Sequence, residues 1–150
     1  MVGVFFLFAQ GRVSLIRGQP AKAIECYKKA AAAQQQYRNL HFISYWEIAI
    51  ANLALWDIQQ SLECWTILKS EGTVRDSNHV HNSQLTSPQW SKAIYAFGMA
   101  ICTLHLFGDE KKAEISKLFA EVPKLKQRIA GKSIPLEVSS LLRAMVLVLM

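Results

Sequence analysis

Gly18-Gln19-Pro20-Ala21-Lys22-Ala23-Ile24-Glu25-Cys26-Tyr27-Lys28-Lys29-Ala30 decides how the rest of the chain is organised. Gly18 ends one helix, because glycine accepts the left-handed backbone that closes a helix C-terminus. Pro20 opens the next in its first turn, where the missing N–H removes no bond. The stretch is a helix-hairpin corner. Beyond it, Ala23, Ile24, Tyr27 and Ala30 share one face of a helix, and Lys22, Glu25, Lys28 and Lys29 share the other, so the second helix has an apolar stripe to bury. Before the corner, Leu7 and Gly11 stand eleven and seven residues ahead of Gly18. With no Cβ, Gly11 lets the partner helix come close.

The pattern returns. Ser61-Leu62-Glu63-Cys64-Trp65 repeats Ala23-Ile24-Glu25-Cys26-Tyr27 position by position at an offset of 38, with Ala49 in the slot of Gly11 and Tyr45 in that of Leu7. Internal duplication accounts for this. The second unit carries a wide apolar band, Phe42, Tyr45, Trp46, Ile48, Ala49, Asn52 and Leu53, on a helix from Leu40 to Leu55. Asp57 is the expected N-cap of its partner, Ile58 to about Lys69. Leu7, Gly11, Gly18, Ala23, Tyr27 and Ala30 resemble the tetratricopeptide pattern, although Gln35 stands where that pattern has Pro. The offset also exceeds the roughly 34-residue period of the class, which implies a longer connection around Gln34 to Asn39.

A third unit follows an interruption. Gly72 to Pro88 is rich in turn formers and has no apolar period, which predicts an exposed or disordered inserted loop, 72–88. Helix signals resume at Gln89 and run to Leu106. Phe107-Gly108-Asp109 makes a turn, and a shorter helix through Ile115, Leu118, Phe119 and Val122 stops at Pro123. Gly108 and Ala113 echo Gly18 and Ala23, but Lys117 falls where Tyr27 and Trp65 fall, so this copy is degenerate. The expected units are residues 2–36, 40–70 and 89–122 of a helical repeat domain over 1–137, with a divergent apolar tail at 138–150.

Composition fits one folded domain: 51% of the 150 residues are hydrophobic and 19% charged. The net charge of +6 is spread over the outer faces of several helices, apart from the cluster Lys124-Leu125-Lys126-Gln127-Arg128 with Lys132. Without a continuous basic stripe or a reading motif, nucleic acid is not an expected partner. Cys26, Cys64 and Cys102 are far apart with no CxxC, which favours buried thiols in a reducing, cytoplasmic setting over disulfides or zinc. Met1 to Phe8 lacks a basic leader and a cleavage motif, and neither it nor Ala144 to Met150 is long enough to cross a bilayer.

Several separated stretches resemble, in order, the tetratricopeptide repeat protein 39 family, related to the inclusion body clearance proteins. They are Phe6-Leu7-Phe8-Ala9-Gln10-Gly11-Arg12, Tyr45-Trp46-Glu47, Trp90-Ser91-Lys92-Ala93 and Ile129-Ala130-Gly131-Lys132-Ser133-Ile134-Pro135-Leu136-Glu137. The likeness spans about residues 3 to 71 and 88 to 137. It marks Gly72 to Ser87 as an insertion and Val138 to Met150 as unlike the family, so the chain resembles a fragment or variant product. The resemblance implies an adaptor-like role, with links to lipid metabolism and aggregate clearance.

The side chains that carry chemistry converge poorly. His79 and His81 are neighbours only in the expected loop, and no metal, cofactor or catalytic set is expected. Cys102 and His105 have helical i, i+3 spacing but no orienting third group or oxyanion site. Glu25, Glu47 and Glu63 read as salt-bridged helix surface. Among the aromatics, Tyr27, Trp46, Trp65 and Trp90 are expected in the core, while Trp56 and Tyr45 are open to a groove role.

The expected fold is all-α, with tetratricopeptide-like antiparallel helical hairpins stacked as an α-solenoid. The structural repeat positions are Leu7, Gly11, Gly18, Ala23, Tyr27, Ala30, Tyr45, Ala49, Ser61 and Trp65. The expected function is a non-catalytic scaffold binding a protein or peptide, with Arg12, Asn52 and Tyr95 as candidate partner contacts. Self-association through uncapped ends is a further expectation. The rival is a peripheral membrane or lipid-droplet protein using Val2 to Phe8, Leu141 to Met150 and the basic cluster.

Overall fold

The first corner closes as Gly18 and Pro20 dictate. The computed structural model describes residues 2–33, 38–74, 91–125, 128–129, 132–133 and 135–149. In it, α1 (Val2–Ile16) ends with Gly18 at φ +71°. The Gly18 N–H donates to the Leu15 carbonyl at 3.0 Å, and the Gln19 N–H donates to the Ser14 carbonyl at 2.9 Å. These two bonds occupy carbonyls that a helix end leaves without partners. The Gln19 carbonyl then accepts the Ala23 N–H at 3.2 Å, the first bond of α2 (Pro20–Ala33).

The same corner recurs 38 residues on, without glycine. It joins α3 (Arg38–Ala54) to α4 (Ile58–Val74). Trp56 takes the place of Gly18 at φ +61°. Its N–H donates to Leu53 at 3.1 Å, the Asp57 N–H donates to Asn52 at 2.9 Å, and the Asp57 carbonyl accepts the Ser61 N–H at 3.1 Å. Asp57 is also the side-chain cap, its Oδ1 accepting the Gln60 N–H at 3.1 Å. A left-handed backbone at a residue with a Cβ costs about 1 kcal/mol or more. Trp56→Gly is therefore expected to raise stability by up to about 1 kcal/mol in urea denaturation, the glycine's unfolded-state entropy taking back part of the gain. Trp56→Ala keeps the Cβ and is expected to give no such gain.

Within the first compact unit, residues 1–68, the helix crossings also match at this offset. Gly11 of α1 lies against the Tyr27 ring of α2: a Cβ there would come within 2.5 Å of Cε1. In the second hairpin Ala49 and Ser61 meet directly, Ser61 Oγ donating to the Ala49 carbonyl at 3.0 Å. Ring pairs repeat too, Phe8 with Tyr27 at 6.0 Å and Trp46 with Trp65 at 5.3 Å, the latter edge to face. Ala23, Tyr27, Ala30, Ala49, Ser61, Trp65 and Leu68 are buried, and α2 packs against α3, so the two hairpins share one core.

The second unit, residues 69–150, is built differently. Its helices are α5 (Lys92–Phe107), α6 (Lys112–Glu121) and α7 (Pro135–Leu149). Ala93, Ala96 and Ala100 give α5 a small-residue face against Ile115, Leu118, Phe119, Val122 and Ala144. Lys69 Nζ donates to Glu121 Oε2 at 2.8 Å. Gly108 has φ 51° and ψ −128°, outside the left-handed helical well of Gly18, and it begins a 3-10 turn (Gly108–Lys111). Ala113 is exposed, so it is no counterpart of Ala23. A second 3-10 turn (Val122–Leu125) contains Pro123, and a minimal antiparallel pair, Arg128–Ile129 with Lys132–Ser133, precedes α7.

Two boundaries shift from those expected from the sequence. Gly72 to Val74, expected in the inserted loop, form the last turn of α4, while 75–88 fall outside the described residues, as do Trp90 and 34–37. The division between 137 and 138 falls inside α7, because Pro135 opens a helix at its favoured first position and Glu137 is already in its first turn. The fold is all-α and tetratricopeptide-like in its hairpins.

Candidate functional site

Arg12 on α1 reaches Glu47 on α3 across the two hairpins. Its Nε donates to Glu47 Oε1 at 2.9 Å and its Nη2 donates to the same oxygen. The carboxylate is buried, whereas the Arg12 side chain stays 64% exposed. Hydrogen bonding and the negative charge of Glu47 raise the guanidinium's pKa above its ordinary value. Glu47 is thus no surface acid, in contrast to Glu25 and Glu63, which are exposed. Its burial follows from its place on the stripe of α3 that faces the first hairpin.

The Tyr27 hydroxyl is buried next to this pair, close enough to be affected by the Glu47 carboxylate but without completing a hydrogen bond. Burial first, and the neighbouring carboxylate second, push the phenol's pKa up. The node therefore joins α1, α2 and α3 through one guanidinium, one carboxylate and one neutral phenol.

The other two sequence candidates lie inside. Asn52 is buried and its carbonyl serves the corner at Asp57. Tyr95 is buried in the first turn of α5, its N–H donating to the Ser91 carbonyl at 3.2 Å. Of the three, Arg12 alone presents its side chain to solvent. Leu7 and Tyr45 are half-buried at equivalent positions, and Trp46 is half-buried against Trp65. Trp56 projects at the hairpin corner, 70% exposed.

A second polar contact joins two stretches that the sequence keeps far apart. Ser91 caps α5, its Oγ accepting the Ile94 N–H at 3.1 Å and donating to Glu137 Oε1 of α7. Both residues are buried. The Trp-Ser-Lys-Ala and Pro-Leu-Glu stretches thus meet through their Ser and Glu. Neither residue has a distinctive local signal, since a buried serine cap and a buried glutamate look like surface polar residues in a list of letters.

On α5, Cys102 is buried and His105 exposed. None of the three cysteines is in a disulfide, and among the described residues no group of three or more His, Cys, Asp or Glu could hold a metal. No described helix is long and apolar enough to cross a membrane. Burial, aided by the Glu63 carboxylate, pushes the Cys64 thiol up to about 11. At pH 8 its thiolate is about a hundredfold scarcer than at the ordinary value, partly offset by greater intrinsic nucleophilicity, so alkylation is expected to be at least about tenfold slower than for a free thiol. Mass-spectrometric labelling with a Cys64→Ser control checks this. Because the folded value is the raised one, the associated stability is complete below pH 9 and is lost as pH climbs through 11.

A model of the family described as Iml2/Tetratricopeptide repeat protein 39 matches residues 2–144. That range runs past Glu137 into the stretch read from the sequence as a divergent tail. Among curated proteins, Tetratricopeptide repeat protein ttc-39B of Caenorhabditis elegans is 28% identical over 144 residues, covering 90% of this chain and 21% of the relative. The chain spans about a fifth of the length of that curated relative. No solved structure matches.

Proposed function

The chain belongs to the Iml2/Tetratricopeptide repeat protein 39 family, and from that premise we propose that it is a non-catalytic scaffold or adaptor holding a peptide or partner helix on a helical-repeat surface. The observation that carries this reading is the duplicated hairpin, with corners and crossings repeated at 38 residues. Stacked hairpins present side chains in regular rows, the geometry by which repeat proteins take up partners. Arg12 suits a contact role: Glu47 fixes its guanidinium while part of its donor fork faces solvent, so little freedom is lost when a partner's carboxylate or carbonyl arrives. Asn52 and Tyr95, both buried, then act as supports within their own helices. Three cysteines outside any disulfide accord with a cytoplasmic setting.

The test is stoichiometric binding of a purified protein or peptide first captured from cell extract. Binding is expected to be lost with Gly11→Val, whose branched side chain would collide with the Tyr27 ring and open the first crossing. Equal binding by that variant, or no stoichiometric binder, would remove the scaffold reading. The rival, peripheral association with lipid and the metabolic link that the family resemblance implies, draws on exposed Phe5 and Phe6. Salt-sensitive flotation with anionic vesicles would put it in the scaffold's place.

A further inference from the structure

The 38-residue equivalence picks out a row of positions that is open in both hairpins. Phe5, Arg12 and Ile16 of α1 correspond to Ile43, Ile50 and Ala54 of α3, and every one of them is exposed. The row beside it on α3, Ser44, Glu47 and Ala51, is the buried one. α3 has the first hairpin packed ahead of it and still keeps Ile43, Ile50 and Ala54 open. The openness of Phe5, Arg12 and Ile16 therefore does not depend on what lies ahead of α1.

The two open rows come together at the pair Arg12 and Glu47, which links α1 to α3. Ile43 and Ile50 stand four residues before and three after Glu47, one turn to either side of it. Phe5 and Ile16 stand seven before and four after Arg12. The guanidinium thus lies in an apolar surround. Its Nε and Nη2 donate to Glu47, which leaves the edge formed by Nη1 and Nη2, the second edge by which a guanidinium takes a carboxylate with two bonds. Beside Glu47 the buried Tyr27 hydroxyl has no hydrogen-bond partner among the described residues. It is a reserve donor for that carboxylate when a second acid draws on the guanidinium.

Resting on the scaffold reading, we propose that this surface takes an amphipathic partner helix whose apolar face carries one Asp or Glu, the acid meeting Arg12 and the apolar residues meeting Phe5, Ile16, Ile43 and Ile50. Two helices side by side leave a groove that a third helix fills. The guanidinium decides the chemistry of the occupant: a basic face is repelled, and a wholly apolar one would bury the outer N–H groups without an acceptor. The partner's acid has an apolar residue about two turns to one side and one turn to the other, the spacing that α1 itself sets.

Selection of a displayed library of random helix-forming peptides on the whole chain, followed by fluorescence-polarisation titration of the enriched sequences, tests this. An acid flanked by apolar residues at that spacing is expected to be enriched, and its replacement by the amide is expected to weaken binding at least about tenfold. Ile50→Asp, at an exposed position outside the pair of Arg12 and Glu47, is expected to weaken the same peptide by a similar factor with the helical circular-dichroism signal unchanged, because its carboxylate competes for the open edge. Ala32→Glu makes the same change of charge at an exposed position of α2 and is expected to change binding by less than about twofold. No enriched peptide, an enriched motif without an acid, or equal losses from Ile50→Asp and Ala32→Glu would each overturn the proposal. The scaffold reading is judged separately by the captured binder: its stoichiometric retention by Ile50→Asp would keep the scaffold and remove this surface as its docking site.

Discussion

Trp65→Ala is expected to destabilise the chain by about 4 kcal/mol, the largest single-residue effect in the first unit. Among the described residues Trp65 is the largest fully buried side chain, 1% exposed, and it holds the second hairpin from inside α4. Its removal deletes the burial of the indole, leaves a cavity that the flanking backbone cannot fill, and ends the edge-to-face contact with Trp46 at 5.3 Å. A loss of that size approaches the whole stability of many domains, and it would lower the melting temperature by roughly 10 °C in a chain of this length. The repeat supplies its own control. Trp65→Tyr installs the residue that occupies the equivalent place in the first hairpin, and most of the aromatic volume remains, so a cost near 1 kcal/mol is expected. Urea denaturation followed by circular dichroism reads both. If the alanine costs no more than the tyrosine, Trp65 does not organise the hairpin.

The equivalence behind that control was only partly legible in the letters. Gly18 and Pro20 announce the first corner because each has a backbone preference that few other residues share. Trp56 carries no such mark. Its left-handed backbone is imposed by the Schellman-type bonds that Leu53 and Asn52 accept, and only the fixed offset from Gly18 would have pointed to it. Glu47 looks like a surface residue because an acid on an amphipathic helix usually is one; its burial depends on Arg12, 35 residues earlier, and distance along the chain hides such a partner. Its equivalent in the first hairpin is Ala9, a small apolar residue, and that contrast is the available hint. Gly108 misled in the opposite direction. It shares its letter with Gly18, yet its ψ of −128° lies outside the left-handed helical well, and α6 buries Ile115, Leu118 and Phe119 instead of a residue at Ala113.

Ser91→Ala is expected to cost about 3 kcal/mol, because one hydroxyl serves two groups at once. As a cap, Oγ accepts the Ile94 N–H at 3.1 Å, and losing a cap costs about 1 kcal/mol. As a donor it binds Glu137 Oε1, a fully buried oxygen, and taking a donor from a buried acid costs about 2 kcal/mol more. Ser91→Thr keeps the hydroxyl and should cost less than about 1 kcal/mol. The decisive variant is the double substitution Ser91→Ala with Glu137→Leu. If the penalty comes from stranding the acid, the pair should cost clearly less than the sum of the two single changes, since no polar oxygen is then left buried without its donor. Additive costs in denaturant titrations would instead mean that Ser91 and Glu137 act independently. The meeting of the Trp-Ser-Lys-Ala and Pro-Leu-Glu stretches would then be a matter of proximity, with the junction of α5 and α7 held by the apolar layer of Ala93, Ala96 and Ala144 alone.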